Sequence, residues 1–272
     1  MKVLRFVFDI FLLVSCSRPD IEEVDLSSYF NGIGGSAVFY NPTSGQYKAY
    51  NAERSGQRSS PCSTFKIMSS YLALSENLLT AEQSEIKWNQ KRYDMPAWNR
   101  DMDLDTAFKT SCVWYFRALI DRISPAKVQA VLDRFRYGNR DISDWSGALN
   151  TNTDDPQLKG FWIESSLQIS PLEQVRVLAE LFAYPSPVTE TLKKLMLTAV
   201  SPVKVYGKTG LGIKDNLVDT AWFVGFYETK GQTVYFAVRL DDAANPLADY
   251  RHQASRYARQ IALDIIADAE LF

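Results

Sequence analysis

Histidine is almost absent from this chain, since His252 is the single example among 272 residues. A serine-histidine-aspartate triad would therefore have to rest on that one residue. Cysteine is also scarce, with Cys16, Cys62 and Cys112 as its three representatives. Their spacing excludes a structural zinc site, which needs about four clustered ligands. We therefore expect no metal, and reactive groups must be sought among other residue types.

An excess of charge of one sign is also missing. The formal net charge is −2, and acidic and basic residues are mixed along the chain without a basic run. Nucleic acid is therefore not an expected partner. The sequence is 46% hydrophobic and 13% aromatic, so that it can bury a sizeable core. These features favour a folded protein that acts on a small molecule.

The N-terminus has the pattern of an export signal. Lys2 and Arg5 precede an apolar run over residues 6–15 that is too short to span a bilayer. Residues 13–16, Leu-Val-Ser-Cys, resemble the bacterial lipobox, in which Cys16 would become the lipidated first residue of the mature chain. A generic secretory signal with an incidental Cys16 is the alternative. We predict an exported, periplasmic protein that is anchored to the membrane as a lipoprotein.

The domain organisation follows from this interpretation. We predict a signal segment over residues 1–16, a short polar tether over residues 17–28 and one functional domain over residues 29–272. Residues 140–160, rich in Asp, Asn, Thr and Gly, are the only long loop that the sequence indicates, and loops of that length are usually functional or mobile.

Strand and helix patterns are distributed unevenly along the chain. Strand patterns occur near both ends, at residues 36–40, 47–50, 220–229 and 233–240. Helical patterns occupy the middle and the tail, at residues 64–79, 104–123, 125–135, 171–182, 188–197 and 250–271. The sequence thus predicts an α/β fold of the α+β kind. It consists of an antiparallel sheet formed by both chain ends, flanking helices and an inserted, mostly helical region.

The most informative motif is Ser63-Thr64-Phe65-Lys66. Residues three apart share a helix face, so a helix beginning near Thr64 would place the Lys66 amine beside the Ser63 hydroxyl. The pair then supplies a nucleophile and its base, and the helix N-terminus adds positive potential where an oxyanion would form. An N-cap serine ahead of an ordinary amphipathic helix has the same short pattern, so this motif does not decide the function alone.

Further motifs follow in a fixed order: Ser111-Cys112-Val113, Tyr137-Gly138-Asn139, Phe161-Trp162-Ile163-Glu164 and Lys208-Thr209-Gly210, the last of which is expected to open a strand. With them the chain resembles the penicillin-recognising serine enzymes from about residue 33 to the C-terminus. The Tyr-Gly-Asn and Ser-x-Val motifs make it similar to the class D serine β-lactamases, the oxacillinase family. The resemblance implies the serine β-lactamase and penicillin-binding transpeptidase fold. It also implies hydrolysis of the amide of a small-molecule β-lactam.

The resemblance also implies roles for individual residues. Ser63 would attack the carbonyl carbon, the backbone N–H groups of Ser63 and Leu211 would form the oxyanion hole, and Ser111 would relay a proton to the ring nitrogen. The implied substrate-binding residues are Lys208, Thr209, Gly210, Leu211 and Arg251, of which Lys208, Thr209 and Arg251 would hold the substrate carboxylate.

Lys66 needs an environment that creates a base, because an unperturbed lysine has a pKa of about 10.4 and burial would lower it. In class D enzymes the neutral amine reacts with carbon dioxide, and the resemblance implies the same N6-carboxylation of Lys66, with no other cofactor. Val113 would keep the amine desolvated and the Trp162 indole would hold the carbamate. Val113 and Trp162 could equally be plain core residues.

Several alternatives remain open at the level of sequence. A penicillin-sensing receptor domain, which is acylated without turnover, shares these motifs but tends to carry Asn at the position of Val113. A DD-peptidase is the other alternative, against which Val113 and Trp162 both argue. Glu164 faintly resembles the deacylating glutamate of class A enzymes, and we expect it to be structural or to act through other residues.

The remaining features are less informative. The Tyr137-Gly138-Asn139 triplet is expected to support a loop, and His252 is expected at the surface. If Cys16 is lipidated, Cys62 and Cys112 are the pair left that could form a disulfide bridge, and the sequence leaves this open. Substrate spectrum and oligomeric state are not predicted.

Overall fold

The computed structural model describes residues 20–200, 203–229, 231–242 and 249–272. Its centre is a seven-stranded sheet with the order β1-β3-β2-β7-β6-β5-β4. The strands are β1 (Ile21–Glu23), β2 (Gly35–Asn41), β3 (Gln46–Tyr50), β4 (Leu197–Ala199), β5 (Lys204–Lys214), β6 (Leu217–Thr229) and β7 (Gln232–Leu240). Neighbouring strands are antiparallel except β1 and β3, which pair in parallel. The predicted sheet built from both chain ends is confirmed.

Helices cover both faces of this sheet. They are α1 (Ser27–Phe30), α2 (Ala52–Ser55), α3 (Lys66–Ser75), α4 (Leu104–Lys109), α5 (Val113–Ile120), α6 (Pro125–Arg134), α7 (Pro171–Leu181), α8 (Pro187–Met196) and α9 (Tyr250–Asp268). The helices α6, α7 and α8 each begin with Ser-Pro, in which the serine hydroxyl caps a backbone N–H and proline occupies the first helical position. These start signals explain why the sequence predicts their first residues to within one position.

The sheet separates two hydrophobic cores because successive residues of a strand point to opposite faces. In β6, Trp222 and Val224 pack into the larger core, which the inserted helical region covers. Phe223 and Ala221 face the smaller core beneath α1 and α9. The strand is therefore apolar nearly throughout, as expected for one that is covered on both faces.

The structure corrects several expected boundaries. The described part of the predicted tether is folded, because Ile21–Glu23 pairs with β3 and Ser27–Phe30 forms α1. The helix predicted over residues 64–79 ends at Ser75. Two residues later, Asn77 adopts a left-handed backbone conformation (φ 53°). Residues 140–160 are not the only long irregular segment, since residues 76–103 contain only the short 3-10 turn Pro96–Trp98 and an isolated β-bridge between Ile86 and Met102.

Two further corrections concern the site. The single helix predicted over residues 104–123 is two helices, α4 and α5, separated by Thr110, Ser111 and Cys112. Lys208 does not open a strand but lies in the middle of the eleven-residue β5. Sequence periodicity missed the break between α4 and α5 because apolar positions continue across it. It missed the extent of β5 because three glycines weaken the strand pattern over Lys204–Lys214.

Candidate active site

Ser63 and Lys66 form the local centre of the site. Ser63 lies in the 3-10 turn Cys62–Phe65, and Lys66 begins α3 directly after it. The Lys66 Nζ atom is 2.6 Å from Ser63 Oγ. Ser63 is partly exposed, whereas the Lys66 side chain is fully buried. The turn therefore presents a hydroxyl to solvent and holds an amine behind it, as the motif predicts.

Burial changes the acid-base behaviour of Lys66. Loss of hydration lowers the pKa of its amine from 10.5 to about 8. The Phe116 ring lies 5.5 Å from Nζ, and no carboxylate lies within 4.0 Å of this amine among the described residues. With that pKa, roughly one amine in ten is neutral at pH 7. The neutral form can accept a proton from Ser63.

Ser111 occupies a strained position in the turn between α4 and α5. Its φ is 57°, in the left-handed region where glycine is the usual residue. The Ser111 N–H donates to Phe108 O at 3.2 Å and the Cys112 N–H donates to Ala107 O at 2.8 Å. This is the Schellman arrangement that ends a helix, with serine where glycine is favoured. Such strain at a side chain facing a cleft is typical of a functional position.

Lys208 joins Ser111 across the cleft. Its Nζ donates to Ser111 Oγ at 3.0 Å and to the Thr209 carbonyl oxygen at 3.0 Å. Lys208 is 5% exposed, and burial, followed by the repulsion of Lys66, holds the pKa of its amine well below the usual value. Neither Lys66 nor Lys208 has a carboxylate partner among the residues described. Two buried lysines without such a partner favour the binding of an anionic ligand.

The edge of β5 closes the site on the other side. Beyond Tyr206 no described strand pairs with β5 on the side opposite β6. Gly210 lies so close to the nucleophile turn that a Cβ atom would come within 3.0 Å of Pro61 O and of Thr64 Cγ2. Glycine thus lets β5 pack closely against the turn that carries Ser63.

The orientation of the Leu211 N–H group follows from its neighbours. The Ile213 N–H donates to Glu164 Oε1 at 2.7 Å, and the Thr209 carbonyl accepts from Lys208. Both groups point away from β6. A β-bulge lies between Gly212 and Ile213, so the regular alternation is taken from Thr209. Residues two apart along a strand direct their backbone groups to the same side, and the Leu211 N–H therefore faces the open edge of β5 as well.

Trp162 is fully buried, and its indole Nε1 has no hydrogen-bond partner among the described residues. The ring stacks on Phe65, the residue before Lys66, at a centroid distance of 5.7 Å, and the Arg117 guanidinium lies 5.8 Å from its centroid. A buried N–H without a partner costs free energy on the order of 1–3 kcal/mol. The indole N–H is thus available as a donor to a bound group. Val113, the first residue of α5, is half-buried.

Glu164 ties two loops together. Besides Ile213 N–H, its carboxylate accepts a hydrogen bond from Asn152 Nδ2, and Asn152 also donates to the Ile213 carbonyl. Burial raises the pKa of the Glu164 carboxyl. The Asn139 side chain donates to Ser166 O at 2.7 Å and accepts from Gln168 N–H at 2.9 Å. The polar groups of Glu164 and Asn139 therefore hold the loop after Trp162.

Sequence reasoning missed Ser60. Its hydroxyl donates to Trp162 O at 3.0 Å and accepts from Glu164 N–H at 2.8 Å, while its carbonyl accepts from Trp222 Nε1 at 3.0 Å. This buried serine links the segment before the nucleophile to the loop that carries Trp162. Its position three residues before Ser63 was the only available signal.

The remaining predicted residues lie as follows. Arg251 is exposed in the first turn of α9, and His252 beside it is also exposed, as expected. Cys62 and Cys112 are both buried free thiols, so the bridge that the sequence left open is not formed. Cys16 and the predicted signal segment lie outside the described residues. Across the described ranges we find neither a helix suited to crossing a membrane nor a cluster of three potential metal ligands.

Comparison with known proteins agrees with this geometry. The chain matches the penicillin binding protein transpeptidase domain family over residues 35–194 and 186–267. It is 35% identical over 253 residues to the methicillin resistance mecR1 protein of Staphylococcus aureus, covering 90% of this chain but 40% of that protein. The chain therefore spans well under half the length of this curated relative.

Solved structures with the same fold include both a receptor and an enzyme. The C-terminal domain of the Bacillus licheniformis BlaR penicillin-receptor has a TM-score of 0.78 and 31% identity, covering 93% of this chain and 97% of that one. A class D β-lactamase from Bacillus subtilis has a TM-score of 0.76 and 29% identity, covering 92% and 97%. The chain belongs to the penicillin-binding protein transpeptidase domain family and resembles its class D β-lactamase and penicillin-receptor members.

Proposed function

We propose that this protein is a class D β-lactamase that hydrolyses the β-lactam amide through an acyl-enzyme on Ser63. The observation that carries the proposal is the 2.6 Å contact between Ser63 Oγ and the buried Lys66 Nζ, which lies close enough to the Ser111–Lys208 pair for Lys66 to repel the Lys208 amine. A nucleophile and a base of lowered pKa are already in contact, and the second serine-lysine pair faces them.

The residues act in a defined order in this proposal. Lys66 accepts the hydroxyl proton as Ser63 Oγ bonds to the carbonyl carbon, and the N–H groups of Ser63 and Leu211 stabilise the oxyanion. The carbon-nitrogen bond of the ring then breaks, and Ser111 passes a proton to the departing nitrogen. A water molecule, deprotonated at the Lys66 position, cleaves the ester and regenerates the Ser63 hydroxyl.

Substrate binding follows from the charges of the site. A β-lactam carries a carboxylate, and the Lys208 ammonium and the Thr209 hydroxyl stand next to each other at the open edge of β5. Arg251 is proposed as a further cation for this carboxylate. A bound carboxylate would compensate the positive charge of the two buried lysines, which no described carboxylate neutralises.

N6-carboxylation of Lys66 is the second part of the proposal. The fully buried, unpartnered Trp162 Nε1 fits an acceptor oxygen that the unmodified chain does not supply. Burial of the amine beside Phe116 favours the neutral form that carbon dioxide requires, and Val113 is proposed to add to this desolvation. The carbamate would supply an anionic base in place of the amine, with Trp162 holding it.

The test of the main proposal separates turnover from single acylation. Purified protein is mixed with excess benzylpenicillin, and both product and the intact mass of the protein are followed, with Ser63→Ala as the control. We expect many molecules of product per chain and loss of both product and adduct in Ser63→Ala. A lasting 1:1 adduct without turnover would identify a penicillin receptor, and slow cleavage of a D-Ala-D-Ala peptide would identify a DD-peptidase.

The dependence of turnover on carbon dioxide tests whether carboxylated Lys66 is the base. Enzyme degassed at acidic pH is expected to lose turnover and to regain it when bicarbonate is added. Trp162→Phe, which removes the indole donor, and Val113→Asp, which disfavours the anion, should weaken this recovery. Trp88→Phe is the control, since its Nε1 donates to Lys91 O away from the site. Glu164→Gln should matter much less. A bicarbonate-insensitive enzyme that stalls at deacylation in Glu164→Gln would instead indicate the class A mechanism.

We also propose that the protein is exported and anchored through a lipid on Cys16. Two acyl chains hold a protein on a membrane stably where one does not. The mature protein from cells that process lipoproteins should enter the detergent phase of a Triton X-114 separation, and Cys16→Ala should remain in the aqueous phase. A mature N-terminus other than Cys16 would contradict the anchor.

A further inference from the structure

A cavity of about 210 Å³ opens beside Lys208 and Thr209. Gly207 lines it as well, but Gly210 and Leu211 do not, so it extends along β5 away from the position of the oxyanion hole. The opposite walls come from α4, the end of α8, β4 and α9. The cavity thus begins where the substrate carboxylate is proposed to bind and continues beyond it.

The charged groups that line this cavity are all cationic, namely Lys109, Lys208 and Arg259. Lys109 is exposed and paired with Asp105 at 2.7 Å. Arg259 is half-buried and donates from Nε and Nη2 to Thr198 Oγ1 and O, each at 3.2 Å. Within the described ranges no carboxylate lies within 4.0 Å of the Arg259 guanidinium, which leaves its charge uncompensated.

The chemistry of the substrate relates this cavity to the ring. In a cephalosporin, the carbon that bears the carboxylate is bonded to the carbon that bears the second side chain. When Lys208 and Thr209 hold the carboxylate and the oxyanion lies toward Leu211, the second side chain points toward Gly207 and the cavity. A negative group on that side chain would meet Arg259 and the lysines.

We propose that this cavity is a subsite for an anionic second side chain, and that Arg259 determines this specificity. The inference rests on the proposed binding of β-lactams and concerns acylation alone, so it holds for a turning-over enzyme and for a receptor. It predicts faster acylation by cephalosporins with a sulfonate or carboxylate on this side chain than by uncharged counterparts.

The test uses two cephalosporins with the same acyl side chain. Cefonicid carries a sulfomethyl group on its tetrazole, whereas cefamandole carries a methyl group there. The second-order rate constant for acylation of Ser63 is measured for both by stopped-flow mixing and intact mass. Arg259→Gln should lower the cefonicid-to-cefamandole ratio roughly three- to tenfold, and Arg259→Lys should keep most of it.

Arg256→Gln is the matched control, because it removes the same charge from an exposed position one turn away on α9. The ratio should not change in this variant. An unchanged ratio in Arg259→Gln, or an equal fall in Arg256→Gln, would overturn the subsite. If neither cephalosporin acylates the wild-type protein, the proposed function fails together with the inference.

Discussion

The site contains two serine-lysine pairs that differ in how the chain builds them. Ser63 and Lys66 are three residues apart on one turn, with 2.6 Å between their polar atoms. Ser111 and Lys208 are 97 residues apart, on a helix-ending turn and on the strand β5, with 3.0 Å between theirs. Both lysines are buried and both have lowered pKa values. The same type of serine-lysine contact is thus formed once within a local element and once between distant parts of the chain.

The difference lies in what fixes each pair. The local pair persists wherever the turn and α3 form, because a helix places residues i and i+3 on one face. The second pair exists only when β5 packs against the inserted helical region. Each buried lysine also raises the cost of charging the other. We infer that the first pair acts as nucleophile and base, while the second binds the anion and transfers a proton.

Removal of the Lys66 amine should have the largest effect. We expect Lys66→Ala to acylate and deacylate at least roughly a thousandfold more slowly, because no other described group can take the Ser63 proton. Deacylation should suffer more, so an adduct on Ser63 accumulates in intact-mass spectra. Normal hydrolysis in this variant would show that the base lies elsewhere.

Removal of the Lys208 amine should have a smaller effect, confined to substrate capture and acylation. Lys208→Ala should lower the acylation constant roughly 10- to 100-fold, mainly through weaker binding of the carboxylate. In a double-mutant cycle with Ser111→Ala, the two losses should not add, because each residue loses its partner in the single variant. Additive losses would mean that the two side chains act independently.

The contact between Ser63 and Lys66 could be predicted from the sequence because it depends only on local helix geometry. The Ser63-x-x-Lys66 spacing gives the contact, and the Ser-Pro starts of α6, α7 and α8 give helix boundaries. The contact between Ser111 and Lys208 became visible only in the folded structure. The family resemblance had indicated a role for each residue but not that their side chains touch. The position of Arg259 at the cavity could not be predicted, because nothing in the sequence of α9 shows that this residue faces β4.

The burial of Lys66 should also cost stability. Its pKa is about 8 in the folded chain and 10.5 for an unperturbed lysine, so charging it in the fold is unfavourable at neutral pH. Between these values the unfolded chain binds more protons, and stability therefore rises as pH increases from about 8 to 10.5. Lys66→Met should unfold in urea with about 3 kcal/mol more stability than wild type at pH 7 in buffer free of carbon dioxide. The gain should disappear above pH 10.5. A pH-independent difference would contradict the lowered pKa.

The smallest predicted effect separates the two roles of Ser111, its hydroxyl and its backbone. Ser111→Gly and Ser111→Ala both remove the hydroxyl that contacts Lys208, so both should slow acylation to a similar extent. They should differ in stability, because glycine adopts a φ of 57° without the penalty that any Cβ incurs. We expect Ser111→Gly to be about 1 kcal/mol more stable than Ser111→Ala in urea unfolding. Equal stability of the two variants would mean that the turn between α4 and α5 stores no strain, and that the position of this serine depends on its contact with Lys208 alone.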